Sequence, residues 1–287
     1  AAYSATDTEA AALERDLRAA LEGEVRFDAG TRALYATDAS NYRQVPIGVV
    51  LPRTVEDVVR AVELARAHDA PILPRGGGTS LAGQACNTAL VIDFSRHLDR
   101  VVDLDPDRRL ATVEPGCILD TLRAAAGIHD LTFAPDPATH THNSIGGMIG
   151  NDSGGVHSVM GGLTVDNVES LDILTYDGTR MTVGRTSAEQ LGSLEQAGGR
   201  PGEIYLRLDE LRTAYGDVIR RTFPKLPRRV SGYANLDWLL PENGFHVARA
   251  LVGTEATCVI VLGAKMAKAG RIIAIDTNPG KFELAKQ

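Results

Sequence analysis

Cysteine is scarce and scattered in this chain of 287 residues. Only Cys86, Cys117 and Cys258 occur, and no two of them form a C-x-x-C pair. A zinc knuckle and a cysteine-held iron–sulfur cluster are therefore excluded, and no metal site is expected. The three thiols read as small buried hydrophobes in a reducing compartment. Positive charge is in deficit as well, with 30 Lys and Arg against 37 Asp and Glu and a net charge of -7. The basic face of a nucleic-acid binder is missing, and no nucleic-acid partner is expected. No apolar run approaches the roughly 20 residues of a membrane span. The opening residues Ala1-Ala2-Tyr3-Ser4-Ala5-Thr6-Asp7 lack the basic and apolar regions of a signal peptide. A cytoplasmic protein is expected. None of these absences bears on a phosphate-bearing cofactor, because backbone N–H groups and a helix N-terminus hold phosphate without bulk positive charge.

What is present is ordinary globular composition, 44% hydrophobic and 23% charged, in a chain long enough for one large domain or two smaller ones. Helical spacing runs through 8–22. The stretch 48–52 reads as a β-branched strand. Thr54 caps a helix over 54–69 whose apolar face carries Val55, Val58, Val59, Val62 and Leu64, with Asp57 in the capping-box position. A strand over 70–74 completes a strand–helix–strand unit. Short strands follow at 90–94, 100–104 and 109–113, then a helix at 118–126. Asp177-Gly178 marks a hairpin between strands at 171–176 and 180–183, and helices follow at 187–197 and 202–221. Between them, residues 132–168 are dominated by Gly, Asn, Asp, Ser, Thr and His with little periodicity. So long an irregular stretch inside a compact domain lines a site.

Two glycine clusters carry the chemistry. The first, Pro74-Arg75-Gly76-Gly77-Gly78-Thr79-Ser80, follows directly on a strand. Successive glycine N–H groups converge on an anion, and two hydroxyls add donors, so it reads as a pyrophosphate cradle. A plain turn is the alternative. No Gly-Lys-Ser/Thr follows, so it is not a Walker A loop, and Leu81 breaks the G-x-G-x-x-G pattern of a Rossmann fingerprint. The second cluster runs from Pro135 to Ser158 and includes Ser144-Ile145-Gly146-Gly147-Met148-Ile149-Gly150-Asn151-Asp152-Ser153-Gly154-Gly155.

Taken together, P-R-G-G-G-T-S (74–80), S-I-G-G-M-I-G-N-D-S-G-G-V-H-S (144–158), V-D-N-V-E (165–169), L-P-E-N-G (240–244) and A-L-V-G-T-E-A-T (250–257) resemble the FAD-binding domain of the vanillyl-alcohol oxidase / p-cresol methylhydroxylase superfamily. The D-lactate and D-2-hydroxyglutarate dehydrogenase branch is the most similar. The likeness covers 45–262, about three quarters of the chain. It implies an α+β chain of two α/β subdomains, split near 105–135 and clamping FAD, after an N-terminal lead-in over 1–44. It implies that Arg75, Gly76, Gly77, Gly78, Thr79 and Ser80 bind the diphosphate. Pro135, Ser144, Gly146, Gly147, Asn151, Gly154 and Gly155 would line the flavin, and Val168 would touch adenine. Some relatives attach flavin through a histidine in the first loop; residues 75–84 contain none, so non-covalent FAD is expected. Asp152 and Ala256 stand where the resemblance leads one to expect Asn and Gly.

The implied reaction is hydride transfer from a D-2-hydroxy acid to flavin, with electrons passed to a separate acceptor. In this family the base and the carboxylate clamp come from a later substrate domain, which is not found here, so no catalytic residue is assigned. A catalytically inactive flavin-binding remnant is the alternative. His140, His142 and His157 read as loop polarity, with His157 alternatively approaching the flavin edge. Arg75 reads as an anion partner or a strand-end residue in a salt bridge, and Arg228 and Arg229 as a solvated pair. Residues 263–287 resemble class III alcohol dehydrogenases instead, with Asp276 at the end of an apolar strand as in an NAD site. The glycine fingerprint that such a site needs is absent, so this segment is expected to be a foreign tail. A domain without its substrate domain is also expected to expose apolar surface.

Overall fold

The computed structural model describes residues 7–226, 228–230 and 232–267. Helix α1 (Asp7–Ala20) leads into strand β1 (Glu24–Arg26) and the short helix α2 (Ala29–Leu34). Strand β2 (Gly48–Leu51) then enters a buried sheet, and helix α3 (Val55–Ala67) returns the chain to β3 (Ile72–Arg75) and β4 (Leu90–Asp93). The first sheet has the order β1-β2-β4-β3, with β1 antiparallel to β2 and the other three parallel. Every residue of β2 and β4 is buried, as expected for parallel strands covered on both faces. Val58, Ala61, Val62 and Ala65 of α3 pack with Leu13 and Leu17 of α1 over Val50, Leu90 and Ile92.

Thr54 caps α3 through its side chain, which accepts from the Asp57 N–H at 3.1 Å. The Asp57 carboxylate does not complete a capping box. It accepts instead from the backbone N–H groups of Glu22 and Arg53, tying the end of α1 to the start of α3.

The chain changes sheet between Asp93 and Val101. The second sheet is antiparallel, in the order β5-β6-β9-β7-β8: β5 (Val101–Asp105), β6 (Leu110–Val113), β7 (Val168–Leu174), β8 (Arg180–Val183) and β9 (Ile260–Ala267). Helix α4 (Leu119–Gly127) follows β6. Helices α5 (Ile145–Asn151) and α6 (Ser158–Gly161) stand within the stretch that shows little periodicity. The Asp177-Gly178 hairpin joins β7 to β8, with Gly178 at φ +92°. Helices α7 (Ala188–Ala197), α8 (Gly199–Thr222) and α9 (Val247–Leu251) complete the layer on this sheet.

Strand β9 lies at the sheet centre, between β6 and β7. Its alternating burial is that of a half-covered strand of period two. It runs without interruption across the 262/263 boundary, so Ala264, Lys265 and Met266 pair with both neighbours. The rest of the expected tail, Asp276 included, lies outside the described residues. Leu174, Ile260 and Leu262 also join the core of the first sheet, so the two sheets share apolar contacts. Among the described residues no helix is long and apolar enough to cross a membrane, and no group of His, Cys, Asp and Glu is arranged to hold a metal ion. Cys86 and Cys117 are buried as expected, whereas Cys258 is exposed.

Candidate functional site

The two glycine clusters meet. The first loop leaves the carboxyl end of parallel strand β3, the end at which ligands bind in open α/β sheets. It folds over the start of α5. A Cβ added to Gly77 would lie 2.0 Å from the backbone oxygen of His142, and one on Gly76 would lie 2.0 Å from Ser144 Oγ. Glycine is thus required here for loop-on-loop packing. Gly78 sits at φ +64° and faces the Arg75 guanidinium. Among the described residues, none of the backbone N–H groups of Gly76, Gly77, Gly78, Thr79 or Ser80 donates a hydrogen bond to the protein. Unpaired N–H groups in succession are what an anion cradle presents.

The second cluster is a helix where its glycines would argue for a loop. Ser144 caps α5 by accepting from the Gly147 N–H, and Ile145, Met148 and Ile149 are buried at helical spacing. Gly147 and Gly150 on its other face point into a cavity of about 490 Å³, while Gly146 packs on Pro115. A Cβ on Gly150 would meet only Glu255 Oε2, at 3.8 Å, and one on Gly147 only Ser144 Oγ, at 3.3 Å. The fold does not need glycine at these two positions; space in the cavity does.

Arg75 to Ser80, Ser144, Gly146, Gly147, Asn151 and Gly154 all line this cavity. Pro135, Gly155 and Val168 stand outside its wall. Pro135 is buried and its carbonyl accepts from Arg123. Gly155 packs on Asp136, where a Cβ would lie 2.1 Å from the backbone oxygen. Val168 opens β7 in the second core, and its carbonyl accepts from Arg249.

Arg75 lies in the wall, but its guanidinium donates to the carbonyls of Ala85 (2.6 Å), Thr37 (2.9 Å) and Tyr35 (3.3 Å) and stands over the Tyr35 ring. It clasps the base of the glycine loop. Arg228 and Arg229 part company: Arg229 pairs with Asp237 at 2.6 Å, while Arg228 lines the cavity. None of the three loop histidines is in the wall. His157 is paired with Asp136, His140 with Asp120 at 2.8 Å, and His142 with Thr141 at 2.6 Å. Beside them Val156, Val159 and Met160 are exposed.

Asp152 points inward. Its φ of +54° closes α5 in the left-handed region, where Asn is easier to accommodate. Its carboxylate accepts from the Val165 N–H at 2.9 Å and the Asn235 amide at 3.1 Å. Burial raises its pKa, and these two hydrogen bonds pull the other way. Ala256, at φ +58°, occupies the same region, in which Gly carries no penalty.

Two wall features carry no site assignment in the sequence. Asn143 is buried against the cavity with both side-chain amide atoms unpartnered. Thr254, Glu255 and Ala256 form the wall beside α5, fastened by the Gly253 and Glu255 N–H groups to the carbonyls of Ile149 and Gly150. A second, more open depression, lined by Thr182, Arg185, Gln190 and Tyr205, lies apart from both glycine segments.

Free N–H groups at a strand end, beside a helix stripped of side chains, are what a dinucleotide with a flat ring requires. Residues 46–184 match the model of the FAD binding domain family. The chain carries an FAD binding domain of that family. It is 34% identical over 258 residues to D-2-hydroxyglutarate dehydrogenase of Pseudomonas putida, which covers 88% of this chain and 26% of that protein. It is 33% identical over 181 residues to the glycolate oxidase subunit GlcD of Bacillus subtilis, covering 61% of this chain and 38% of the relative. Alkyldihydroxyacetonephosphate synthase shares the fold, with a TM-score of 0.63 and 18% identity over 94% of this chain and 45% of its own. FAD is the cofactor of this fold, which is the two-sheet p-cresol methylhydroxylase type. The chain spans about a quarter of the length of the D-2-hydroxyglutarate dehydrogenases of Pseudomonas putida and Escherichia coli.

Proposed function

We propose that this chain is the FAD-holding part of a dehydrogenase that oxidises a D-2-hydroxy acid of the lactate or 2-hydroxyglutarate type and passes the electrons to a separate acceptor. The observation that carries it is the pair of glycine segments: unpaired N–H groups on Gly76 to Ser80 face the same cavity as the bare face of α5. The similarity to D-2-hydroxyglutarate dehydrogenases and to a glycolate oxidase subunit supports a 2-hydroxy acid as substrate.

In this reading the backbone of Gly76, Gly77, Gly78, Thr79 and Ser80 holds the diphosphate, and Arg75 holds that loop in shape. Arg228 supplies cationic charge at the wall. Ser144 sets the start of α5, while Gly146, Gly147, Asn151 and Gly154 give a close, flat surface to the ring. FAD, when bound, supplies the two-electron acceptor for a hydride leaving the substrate carbon. The first loop has no histidine between 75 and 84, so attachment is non-covalent.

The test is visible absorbance after adding FAD and removing the excess by gel filtration. Flavin bands that co-elute with the protein and are released by acid are expected. A colourless chain overturns the proposal. Turnover of D-lactate or D-2-hydroxyglutarate with an artificial electron acceptor tests the substrate class in the full-length relative that contains this segment.

A further inference from the structure

Residues 35–44, between α2 and β2, close on themselves. The Gln44 N–H donates to the Ala36 carbonyl at 2.8 Å, and Thr37 pairs with Arg43 as an isolated antiparallel bridge. Inside this loop the Asp38 carboxylate accepts from the Ser40 N–H at 2.9 Å, and the Ser40 hydroxyl accepts from the Tyr42 N–H at 3.0 Å. The segment precedes the residues 46–184 that match the FAD binding domain family, and none of it is in the cavity wall.

It grips the first glycine loop from behind. At the start of the loop, Arg75 donates to the Tyr35 and Thr37 carbonyls and stands over the Tyr35 ring, whose hydroxyl donates to Asp93 at the end of β4. In the middle, the Ala39 N–H donates to the Gly78 carbonyl at 3.1 Å. At the far end, the second Asp38 oxygen accepts from the Ala85 N–H at 3.2 Å. The Tyr42 ring lies against Gly83, where a Cβ would come within 2.7 Å of it. One segment thus holds the loop at both ends and at its centre.

The central bond sets a direction. In a trans peptide the C=O and the following N–H point opposite ways, and no described peptide is cis. Turning the Gly78 carbonyl out to Ala39 therefore turns the Thr79 N–H the other way. Thr79 lines the cavity, and its N–H has no acceptor among the described residues. Glycine loses more backbone freedom on ordering than any other residue, so a loop ordered in advance binds an anion more tightly than a free one. We propose that residues 35–42 are a collar that presets the diphosphate loop. Asp38 and Tyr42 are its positioning residues, and FAD affinity depends on them although neither lines the cavity. This rests on the reading of the cavity as the FAD site.

The test uses the whole chain, its D38A, Y42A and Y42F variants, FAD and ADP. D38A releases Ala85 and Ser40, Y42A uncovers Gly83, and Y42F keeps the ring. All three apo-chains are expected to keep a cooperative thermal melt. D38A and Y42A are expected to bind FAD and ADP about ten-fold more weakly, the scale of one lost hydrogen bond, while Y42F restores the native affinity. ADP carries the diphosphate without the flavin, so equal losses for the two ligands place the effect at the loop. Native-like affinities in D38A and Y42A overturn the proposal. A loss confined to FAD does so too, as does a loss in Y42F equal to that in Y42A. A binding loss accompanied by loss of the cooperative melt makes the segment part of the fold and overturns the positioning role. A native chain that retains neither FAD nor ADP overturns the cavity reading and this inference with it. FAD retention by native, D38A and Y42A chains alike overturns this inference alone.

Discussion

The two glycine-rich segments of the cavity use the same residue for opposite reasons. In the first loop, Gly76 and Gly77 are glycine because the protein itself leaves no room. The carbonyl of His142 and the hydroxyl of Ser144 occupy the space of a side chain. In α5, Gly147 and Gly150 are glycine although the protein leaves room, because the room belongs to the cavity. Glycine in a helix interior costs about 0.5–1 kcal/mol against alanine. The first loop therefore serves the fold and the ligand together, while α5 gives up stability for the ligand alone. Substitutions separate the two uses.

The largest effect is expected at Gly77. A Gly77→Ala methyl would stand 2.0 Å from a backbone oxygen, which no rotamer change relieves. Overpacking of this kind costs about 1–3 kcal/mol. Thermal melting of the apo-chain should fall clearly and FAD retention on gel filtration should be lost. An apo-chain that melts like the native one would place the loop further from His142 than the structure does.

Gly150→Ala should divide the two properties. Its methyl meets only Glu255 Oε2, at van der Waals distance, so the apo-chain should gain about 0.5–1 kcal/mol. The same methyl enters the cavity, and FAD affinity should fall about ten-fold or more, the equivalent of at least 1.4 kcal/mol. Stability and affinity moving in the same direction would contradict the assignment of this face to the cofactor.

This contrast also marks what the sequence makes legible. The parallel sheet and α3 follow from local signals: β-branched runs, Thr54 as a cap, and Val58 and Val62 on one face. Most strands of the second sheet and the Asp177-Gly178 hairpin follow in the same way. Helix α5 does not, because three glycines in seven residues outweigh a weaker signal, the Ser144 cap followed by Ile145, Met148 and Ile149. Both glycine clusters are visible as sites. The third wall, 254–256, is not, since its place is set by its bonds to Ile149 and Gly150 and by the pairing of β9 with strands at 110–113 and 168–174. Such contacts are set by tertiary pairing and leave no local pattern. The Asp57 carboxylate, bonded to Glu22 across 35 residues, escapes for the same reason.

Two of the three left-handed non-glycine positions beside α5, Asp152 and Ala256, extend the comparison to its rim. Asp152 is buried, and its folded-state pKa lies above its ordinary value of 3.8. The folded chain therefore holds this proton more tightly than the unfolded chain. The associated stability is present below the unfolded pKa and is lost as pH rises through the folded one. Asp152→Asn tolerates the same φ but sets its amide against the donating amide of Asn235. A loss of about 1–2 kcal/mol at neutral pH is expected from that mismatch. The decline in stability on raising pH from about 4 through the carboxylate range should become shallower in the variant. Urea denaturation at stepped pH measures both, and an unchanged slope would remove Asp152 from the groups that set it.

Ala256 gives the smallest effect and the cleanest control. It shares the wall and positive φ with Glu255, yet carries only a methyl. Left-handed backbone costs a residue with a Cβ about 1–2 kcal/mol, and glycine nothing. Part of that gain is offset by the greater freedom of glycine in the unfolded chain. Ala256→Gly should thus raise the stability of the apo-chain by about 1 kcal/mol and leave FAD affinity within about two-fold, because no polar contact is removed. Ala256→Val should do the reverse to stability, since a β-branched residue fits positive φ worst. If Ala256→Gly weakens FAD binding about ten-fold or more, the wall acts on the cofactor through its backbone shape. Affinity within about two-fold leaves Ala256 a wall residue whose backbone is not tuned to the cofactor.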